Sequence, residues 1–425
     1  MATFADAASY LAALNRRAAS PAGFRFATHP LSFYPSEREM SEPMRMNLSA
    51  IVLEKPTESF AGLFTRNSFP GAPIRIARDR MKQKSIAGLV INNRIANVCA
   101  SGGVEDADRV ARRCAELAGL PLDSLLPAST GIIGWRIPVD AMLDALDPLV
   151  KRLGHDGPLD VARSIMTTDA YPKLRSTEVG DGMIMGVAKG AGMIEPDMAT
   201  LLLFLCTDVQ IERERLESSL RGAIRESFNV ISIDSDQSTS DMAVIMSSNL
   251  RSGVGPDEFD EALTNVCREL AWDVVRNGEG AEHVIHATTT SAPSEEVARA
   301  CAKAVVNSPL VKTAICGNDP NVGRVIMAVG DFLGSRGIEI NPDTVRLSIG
   351  DEQVFGGGVF GLTPETERRL ADYLAVRRML PSEGFPPHEQ SVEIVVDLGI
   401  GSARGEAVGS DLTHGYVSEN ADYRS

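Results

Sequence analysis

Apolar and polar positions along the chain follow two different spacings, which predicts a mixture of helices and strands. Residues 104–120 repeat apolar side chains every three to four positions and carry acidic residues in the first turn, as amphipathic helices do. The same spacing predicts further helices at 211–228, 257–276 and 293–306. We expect Pro309 to lie just past the end of the last of these helices, because proline does not continue a helix.

Short apolar runs bounded by turn residues predict strands between these helices. They occupy residues 74–77, 87–92, 201–206, 344–349 and 391–397. Together the segments predict an α/β fold with mixed layers, built from two sheets and flanking helices.

Two segments lack any periodic pattern. Residues 380–389 contain three prolines and a glycine, which is typical of a loop. Residues 32–47 are charged and aperiodic. They could form a loop or partner contact, or they could reshape a substrate pocket.

Composition limits the class of protein. The chain has 425 residues, enough for a large core and two or more subdomains, and 44% of them are apolar. It has 42 basic and 57 acidic residues, so its net charge of −15 disfavours nucleic acid or an anionic membrane as the main partner. We find no leader-like segment and no apolar run of bilayer length, and we therefore expect a cytoplasmic protein that does not bind membranes.

The sequence gives no support for a metal or another cofactor. His283 and His286 form the one close histidine pair, with no third ligand at metal spacing nearby. The segment that begins at Asp234 imitates a calcium loop. It has Thr239 where such a loop needs glycine and Ile245 where it needs glutamate, so we reject calcium binding.

The segment that ends at Thr200 contains the residue types needed for self-cleavage. Glycines at 190 and 192 allow close approach of the backbone, and the Thr200 hydroxyl lies next to the unhindered Ala199 carbonyl. Attack on that carbonyl, followed by ester hydrolysis, would make Thr200 a new amino terminus whose amine could serve as the base for its own hydroxyl. An ordinary glycine-rich turn leading into a strand is the alternative explanation.

This segment also resembles a known motif. Every fixed position of the pattern Lys-Gly-x-Gly-Met-x-x-Pro-x-Met-Ala-Thr is filled from Lys189 to Thr200. The run resembles the cleavage motif of the ornithine acetyltransferase family, the bifunctional glutamate N-acetyltransferases of arginine biosynthesis. Further segments resemble other motifs of that family in the family's order, at 129–134, 166–169, 277–281, 319–324, 397–399, 411–413 and 420–425.

The resemblance implies a reaction and an assembly. It implies cleavage between Ala199 and Thr200 into an α chain of residues 1–199 and a β chain of residues 200–425. It also implies transfer of the acetyl group of N2-acetyl-L-ornithine to L-glutamate, by a ping-pong mechanism through an acetyl-Thr200 enzyme. The family usually works as an α2β2 assembly, and we expect the same here. We expect no cofactor.

The resemblance assigns roles to individual residues. It makes Thr200 the nucleophile and, through its free amine, the base. The oxyanion would be held by the Thr130 hydroxyl and the Gly131 N–H. Lys189 would face a substrate carboxylate and Glu279 a substrate ammonium group. The full substrate-binding set that it implies is Thr167, Lys189, Thr200, Glu279, Asn420 and Ser425.

Some positions depart from the family's usual pattern. Glu195 and Asp197 add negative charge near the nucleophile, in a variant that resembles the branch found in clavam antibiotic clusters. Val322 replaces a customary tryptophan, and residues 93–97 are less glycine-rich than usual. The added acid could favour a more cationic substrate, such as a guanidino compound.

Three other readings of the function remain. A related hydrolase would use the same Thr200 to pass the acyl group to water, and an inactive scaffold would remain uncleaved. Acetyl-CoA is an additional acetyl donor in some relatives, and no residue here decides whether this chain uses it.

Overall fold

The computed structural model describes residues 4–195, 201–379 and 390–421. Ala199, Thr200, Asp197 and Ser425 lie outside these residues, and so does the loop predicted at 380–389. The helices are α1 (Ala7–Arg17), α2 (Ala72–Arg80), α3 (Gly103–Leu117), α4 (Val139–Lys151), α5 (Pro158–Ser164), α6 (Arg213–Arg225), α7 (Pro256–Arg276), α8 (Glu295–Asn307), α9 (Pro309–Cys316), α10 (Val322–Ser335), α11 (Pro364–Ala375) and α12 (His414–Ala421).

The strands fall into three groups by sheet. The first sheet contains β1 (Phe24–Phe33), β2 (Met44–Thr57), β4 (Ile86–Asn92) and β5 (Leu125–Ser129), in that order. The second has the order β3 (Phe60–Phe64), β10 (Met242–Arg251), β8 (Leu202–Val209), β7 (Gly182–Lys189) and β6 (Lys173–Val179). The third has the order β14 (Val359–Phe360), β13 (Glu352–Gly356), β12 (Arg346–Ile349), β15 (Ser391–Asp397), β11 (Val284–Ala292), β16 (Ala403–Ser410) and β9 (Ile231–Ser232). The mixed α/β class is confirmed, with three sheets where we expected two.

The first two sheets pack face to face and are covered by helices on their outer faces. One buried cluster joins them, with Leu89 and Leu126 from the first sheet against Phe204 and Val244 from the second. Helices α3 and α4 cover the first sheet, and α6 and α7 cover the second. The third sheet has its own core with α8, α10 and α11.

Strand β8 follows directly from its sequence. Its residues are all buried, and successive side chains alternate between two cores. Phe204 and Cys206 face the first sheet, whereas Leu203 and Leu205 face α6 and α7. A strand buried on both faces requires an unbroken apolar run, which is why the sequence predicts it correctly.

The second sheet contains strands from both sides of the predicted cleavage position. β7 precedes that position and β8 follows it, and the two pair antiparallel from Lys189 opposite Leu202 to Ile184 opposite Thr207. Cleavage there would leave two chains that share one sheet.

All four predicted helices are confirmed within a few residues, as α3, α6, α7 and α8. Four of the five predicted strands are confirmed in the same way. The strand predicted at 74–77 is wrong, since these residues lie in α2, where Pro73 occupies the first turn and Ile74 and Ala77 face the same core. A run of four residues is too short to distinguish the periodicity of a helix from that of a strand. As expected, Pro309 lies just past the end of α8, and it also begins α9, which the Ser308 hydroxyl caps.

Most of residues 32–47 form the expected loop, since residues 34–43 connect Phe33 of β1 with Met44 of β2. The remaining residues of the segment belong to these two strands. In the described part of the chain, no helix is both long enough and apolar enough to cross a membrane.

Candidate active site

The turn after β5 holds Thr130 and Gly131 against a neighbouring loop. The Thr130 N–H donates to the Asn92 carbonyl at 3.1 Å, and the Ile132 N–H donates to the Arg94 carbonyl at 2.8 Å. Gly131 has φ +125°, and a Cβ there would lie 2.1 Å from the Arg94 carbonyl carbon. Only glycine fits this position. Residues 93–97, which depart from the family's usual pattern, therefore supply the backbone against which this turn packs.

A buried ion pair fixes the start of the loop that follows β7. Lys173 donates to Asp169 and, at 2.6 Å, to the Asn277 side-chain oxygen, while Asp169 also accepts from the Gly190 N–H at 3.0 Å. Burial by itself would raise the pKa of Asp169. The charges of Lys173 and Lys189, together with these hydrogen bonds, hold that pKa below its usual range. Lys189 is half-buried at the end of β7, next to Gly190, and its charge acts on this carboxylate.

Three elements meet at the Glu279 carboxylate. One oxygen accepts from the Thr168 hydroxyl at 2.6 Å, and the other accepts from the Asn420 side-chain amide of α12 at 2.8 Å. The Glu279 backbone N–H donates to the Ala191 carbonyl at 2.9 Å. A Cβ on Gly192 would lie 2.3 Å from this carboxylate, so the glycine allows the loop to pass beside it.

Asp234 anchors the loop that leads to the predicted cleavage position. Its carboxylate accepts from the backbone N–H groups of Met193 at 2.6 Å and Ile194 at 2.8 Å. The Tyr416 hydroxyl lies 3.3 Å from the same carboxylate. The residue that imitates the start of a calcium loop thus holds backbone amides in place.

The turn at Thr130, the end of β7 and the Glu279 carboxylate border one cavity of about 300 Å³, which we call the central pocket. Six of the site residues predicted from the sequence line it: Thr130, Gly131, Thr167, Lys189, Glu279 and Asn420. Thr200 and Ser425 lie outside the described residues. Leu201, the residue that follows Thr200 in the sequence, lines a smaller recess. This recess shares Thr130 and Lys189 with the central pocket.

The sequence analysis missed several lining residues. Thr168, Gly192 and residues 238–240 also face the central pocket. Thr168 could have been found from its place in the Thr-Thr-Asp segment. The run at 238–240 had a weaker signal, a series of small hydroxyl residues before an apolar strand.

Glu195 points away from the central pocket. Its carboxylate accepts from the Ser232 hydroxyl at 2.9 Å and from the Asn307 amide at 2.5 Å, and it lies 3.7 Å from the Lys303 ammonium group. The charge of Glu195 is therefore balanced by the nearby Lys303 ammonium group. Val322 likewise lies in the core of the third sheet and does not line the pocket.

The two neighbouring histidines have separate partners. His283 contacts Asp411 at 2.8 Å, whereas His286 lies between Glu393 and Glu406. Within residues 4–195, 201–379 and 390–421, no group of three or more His, Cys, Asp or Glu residues could hold a metal ion.

Residues 37–425 of this chain match the ArgJ family. This chain belongs to the ArgJ family. It is 36% identical to the arginine biosynthesis bifunctional protein ArgJ of Rhodococcoides fascians, over 96% of this chain and 95% of that protein. It is also 36% identical to the glutamate N-acetyltransferase Oat2 of Streptomyces clavuligerus, over 95% of this chain and 98% of that protein.

A solved ArgJ chain from Bacillus halodurans is 36% identical and covers 51% of this chain and 96% of its own length, with a TM-score of 0.44. The family predicted from the sequence motifs is confirmed, and the chain is an enzyme of the ArgJ family.

Proposed function

We propose that this ArgJ-family enzyme cleaves itself between Ala199 and Thr200 and then moves the acetyl group of N2-acetyl-L-ornithine to L-glutamate through an acetyl-Thr200 intermediate. The observation that carries the proposal is the central pocket, where six predicted site residues from distant parts of the chain meet. Leu201, bonded to the proposed nucleophile, lines the adjoining recess.

The charges of the central pocket suit an amino-acid substrate. Lys189 supplies a cation for a carboxylate, and Glu279 supplies an anion for an ammonium group. The Glu279 carboxylate is oriented by Thr168 and Asn420, so it is held in place before a substrate binds. A volume of about 300 Å³ is at the lower end of ligand pockets and fits a molecule the size of acetylornithine.

The turn at Thr130 and Gly131 suits the oxyanion of the reaction. Because Gly131 packs against the Arg94 backbone, the turn is held in one conformation. In the proposed reaction the Thr130 hydroxyl and the Gly131 N–H donate to the tetrahedral oxyanion. Losing one such donor costs about a hundredfold to a thousandfold in rate in other enzymes.

In the proposed cycle the Thr200 hydroxyl attacks the acetyl carbonyl and its proton passes to the Thr200 amine. That proton then goes to the leaving nitrogen of ornithine. Glutamate enters and takes the acetyl group from Thr200. The ordinary pKa of an α-amine, about 7.7 to 8, suits a base that works near neutral pH.

The position of Glu195 bears on the choice of substrate. Its carboxylate contacts Ser232, Asn307 and Lys303 instead of the central pocket, so it does not add to the charge seen by a substrate. This favours ornithine over a more cationic guanidino substrate. Asp197 lies outside the described residues.

The fate of the acetyl group tests the proposal. We would incubate the enzyme with N-acetylornithine labelled in the acetyl carbonyl, with and without glutamate. The proposal predicts labelled N-acetylglutamate when glutamate is present. When glutamate is absent, it predicts that added free ornithine carrying a separate label is converted into N-acetylornithine. Labelled acetate as the main product would favour the hydrolase, and no release of ornithine would contradict both. Acetyl-CoA and N-acetylarginine in parallel reactions would test the other donors.

The family resemblance also supports an α2β2 assembly of the cleaved chains and a cytoplasmic location, and we include both in the proposal. Sedimentation of the cleaved enzyme would test the assembly, and localisation of a tagged chain would test the compartment.

A further inference from the structure

Thr413 joins two parts of the chain that meet at the Glu279 carboxylate. Its hydroxyl donates to the Gly280 carbonyl at 2.7 Å, and Gly280 directly follows Glu279 in the chain. The same hydroxyl accepts from the Tyr416 N–H at 3.2 Å, in the first turn of α12. Thr413 is 5% exposed, so water competes little for these bonds. It is the last residue of the segment 411–413, which resembles a family motif, and the reaction proposed above gives it no role.

The Thr413 hydroxyl caps α12, the helix that carries Asn420. A threonine that accepts from the N–H of the third helical residue satisfies one of the free donors at a helix start. All eight residues of α12 are described and none of them is buried, so an apolar core does not fix this helix. Its placement depends on polar contacts such as the cap, and the loss of one contact would let it move.

Two glycines let α12 and the segment that carries Glu279 approach closely. Gly280 has φ +62°, and a Cβ there would lie 2.2 Å from the Tyr416 nitrogen. A Cβ on Gly415 would lie 3.0 Å from the Gly280 Cα atom. The two backbones are therefore in direct contact at the point where the Thr413 hydroxyl bonds to both.

Asp411 holds the other end of the Glu279 segment. Its carboxylate accepts from the Glu282 N–H at 2.9 Å and lies 2.8 Å from the His283 Nδ1 atom. Its N–H donates to the His283 carbonyl at 3.1 Å. Asp411 and His283 are both buried. With this end of the segment fixed, the bond from Thr413 sets how the Glu279 end lies against α12.

We propose that Thr413 is a positioning residue for substrate binding: it holds Asn420 against Glu279 and so keeps the Glu279 carboxylate directed toward the substrate ammonium group. This inference rests on the proposed function. The Asn420 side-chain amide donates to the Glu279 carboxylate at 2.8 Å, from the last turn of α12. A shift of α12 or of the Glu279 segment would lengthen that bond. Thr413 does not line the central pocket, so it acts through these two residues.

The effect of losing the Thr413 bonds should depend on the substrate. In the proposed function Glu279 binds the ammonium group of the ornithine side chain, and the glutamate side chain has no such group. In a ping-pong reaction kcat/KM for each substrate reports its own half of the cycle. Loss of these bonds should therefore lower kcat/KM for N-acetylornithine and spare kcat/KM for glutamate. A general loss of folded enzyme would lower both alike.

The test compares Thr413→Val, which removes the hydroxyl, with Thr413→Ser, which keeps it. Thr363→Val is the matched control. Thr363 caps α11 in the same way, since its hydroxyl accepts from the Thr366 N–H at 3.2 Å, and it does not line the central pocket. The two valine variants should lose similar stability from the missing cap, measured as Tm.

Kinetics of the folded variants should separate them. We expect Thr413→Val to lose roughly threefold to tenfold in kcat/KM for N-acetylornithine, the effect of about one hydrogen bond, and less than about twofold for glutamate. Thr413→Ser and Thr363→Val should stay within about twofold of wild type for both substrates.

Other outcomes would overturn the inference. A folded Thr413→Val with wild-type kcat/KM for both substrates would do so and leave the proposed function intact. An equal loss for both substrates would mean that Thr413 supports folding and does not direct the Glu279 carboxylate. A Thr413→Ser variant as impaired as Thr413→Val would show that the hydroxyl is not the group that matters. If wild type transfers no acetyl from N-acetylornithine, the proposed function fails, and the inference fails with it.

If Thr413→Val does not fold, hydrogen exchange of wild type decides. The inference couples the Tyr416 N–H, which donates to Thr413, to a ligand bound at Glu279. Saturating ornithine, with binding confirmed by calorimetry, should slow exchange at the Tyr416 amide. Exchange at the Thr366 amide, which has the same kind of cap in α11, should not change. Equal exchange at Tyr416 with and without bound ornithine would overturn the inference.

Discussion

The Thr168 hydroxyl donates a hydrogen bond to a Glu279 carboxylate oxygen at 2.6 Å, across 111 positions of sequence. Thr168 follows α5 and Glu279 follows α7, so this contact joins the two halves of the proposed enzyme at the central pocket. It fixes the carboxylate that we propose binds the substrate ammonium group.

Removing this hydroxyl should weaken substrate binding. Hydrogen bonds to charged groups contribute about 1.5 to 3 kcal/mol, so Thr168→Val should raise the KM for N-acetylornithine by roughly tenfold or more. Thr168→Ser keeps the hydroxyl and should remain within about twofold of wild type. Steady-state kinetics of both variants test this. Equal KM values for the Val and Ser variants would show that the contact does not orient Glu279 for binding.

Adding a methyl group at Gly192 should disturb the same carboxylate. The new Cβ would lie 2.3 Å from a Glu279 oxygen, and the flexible carboxylate would move rather than the backbone. A displacement of about 1 Å can cost on the order of a hundredfold in rate. We therefore expect Gly192→Ala to lose most acetyl transfer with little change in Tm. Gly330→Ala is the control, since a Cβ there meets no atom within 4 Å. A Gly192→Ala enzyme as active as this control would contradict the prediction.

The buried pair of Asp169 and Lys173 should control stability at low pH. The pKa of Asp169 is lowered in the folded protein, so its contribution to stability is present above the unfolded pKa, near 3.8, and is lost as the pH falls below it. Asp169→Asn leaves the Lys173 charge buried and should cost about 3 to 5 kcal/mol. Urea unfolding at pH 7 and at pH 3 would measure both effects.

A double variant distinguishes the loss of the whole ion pair from the effect of leaving one buried charge unpaired. Asp169→Asn with Lys173→Met removes both charges, and it should be more stable than Asp169→Asn alone because no unpaired buried charge remains. If the single variant is as stable as wild type at pH 7, the ion pair does not hold the site together.

Glu195 should be unimportant for substrate choice. Because its carboxylate contacts Ser232, Asn307 and Lys303, Glu195→Gln should leave the KM for N-acetylornithine within about twofold of wild type. Glu279→Gln, measured in parallel, should raise that KM by roughly tenfold or more. A large rise in KM for Glu195→Gln would place this residue's charge within reach of the substrate.

The sequence predicts those parts of the fold that local pattern controls. The unbroken apolar run of β8 and the helical spacing of α3 and α7 identify these elements without further information. The number of sheets did not follow from the sequence, because pairing between distant strands leaves no local signal. The segment at 74–77 was misassigned for the related reason that four residues fit both periods.

The candidate site was predicted from family resemblance and not from spacing. Thr130, Lys189 and Glu279 are far apart in the chain, and only the fold brings them to one cavity. The sequence analysis did not single out Asp241, a buried residue that lines the recess beside Leu201, because burial of a polar residue leaves no local signal in the sequence. The reverse holds for Glu195, whose proximity to Thr200 in sequence suggested a role that its contacts with Ser232 and Lys303 do not support.

The most direct test of the central claim is the intact mass of purified wild-type protein and of Thr200→Ala. We expect wild type, a chain of 45.5 kDa, to separate under denaturing conditions into pieces of roughly 21 and 24 kDa that end at Ala199 and begin at Thr200. We expect Thr200→Ala to remain whole. A wild-type chain that stays at full length and still transfers acetyl, or a Thr200→Ala chain that is cleaved at the same bond, would rule out Thr200 as the nucleophile formed by self-cleavage.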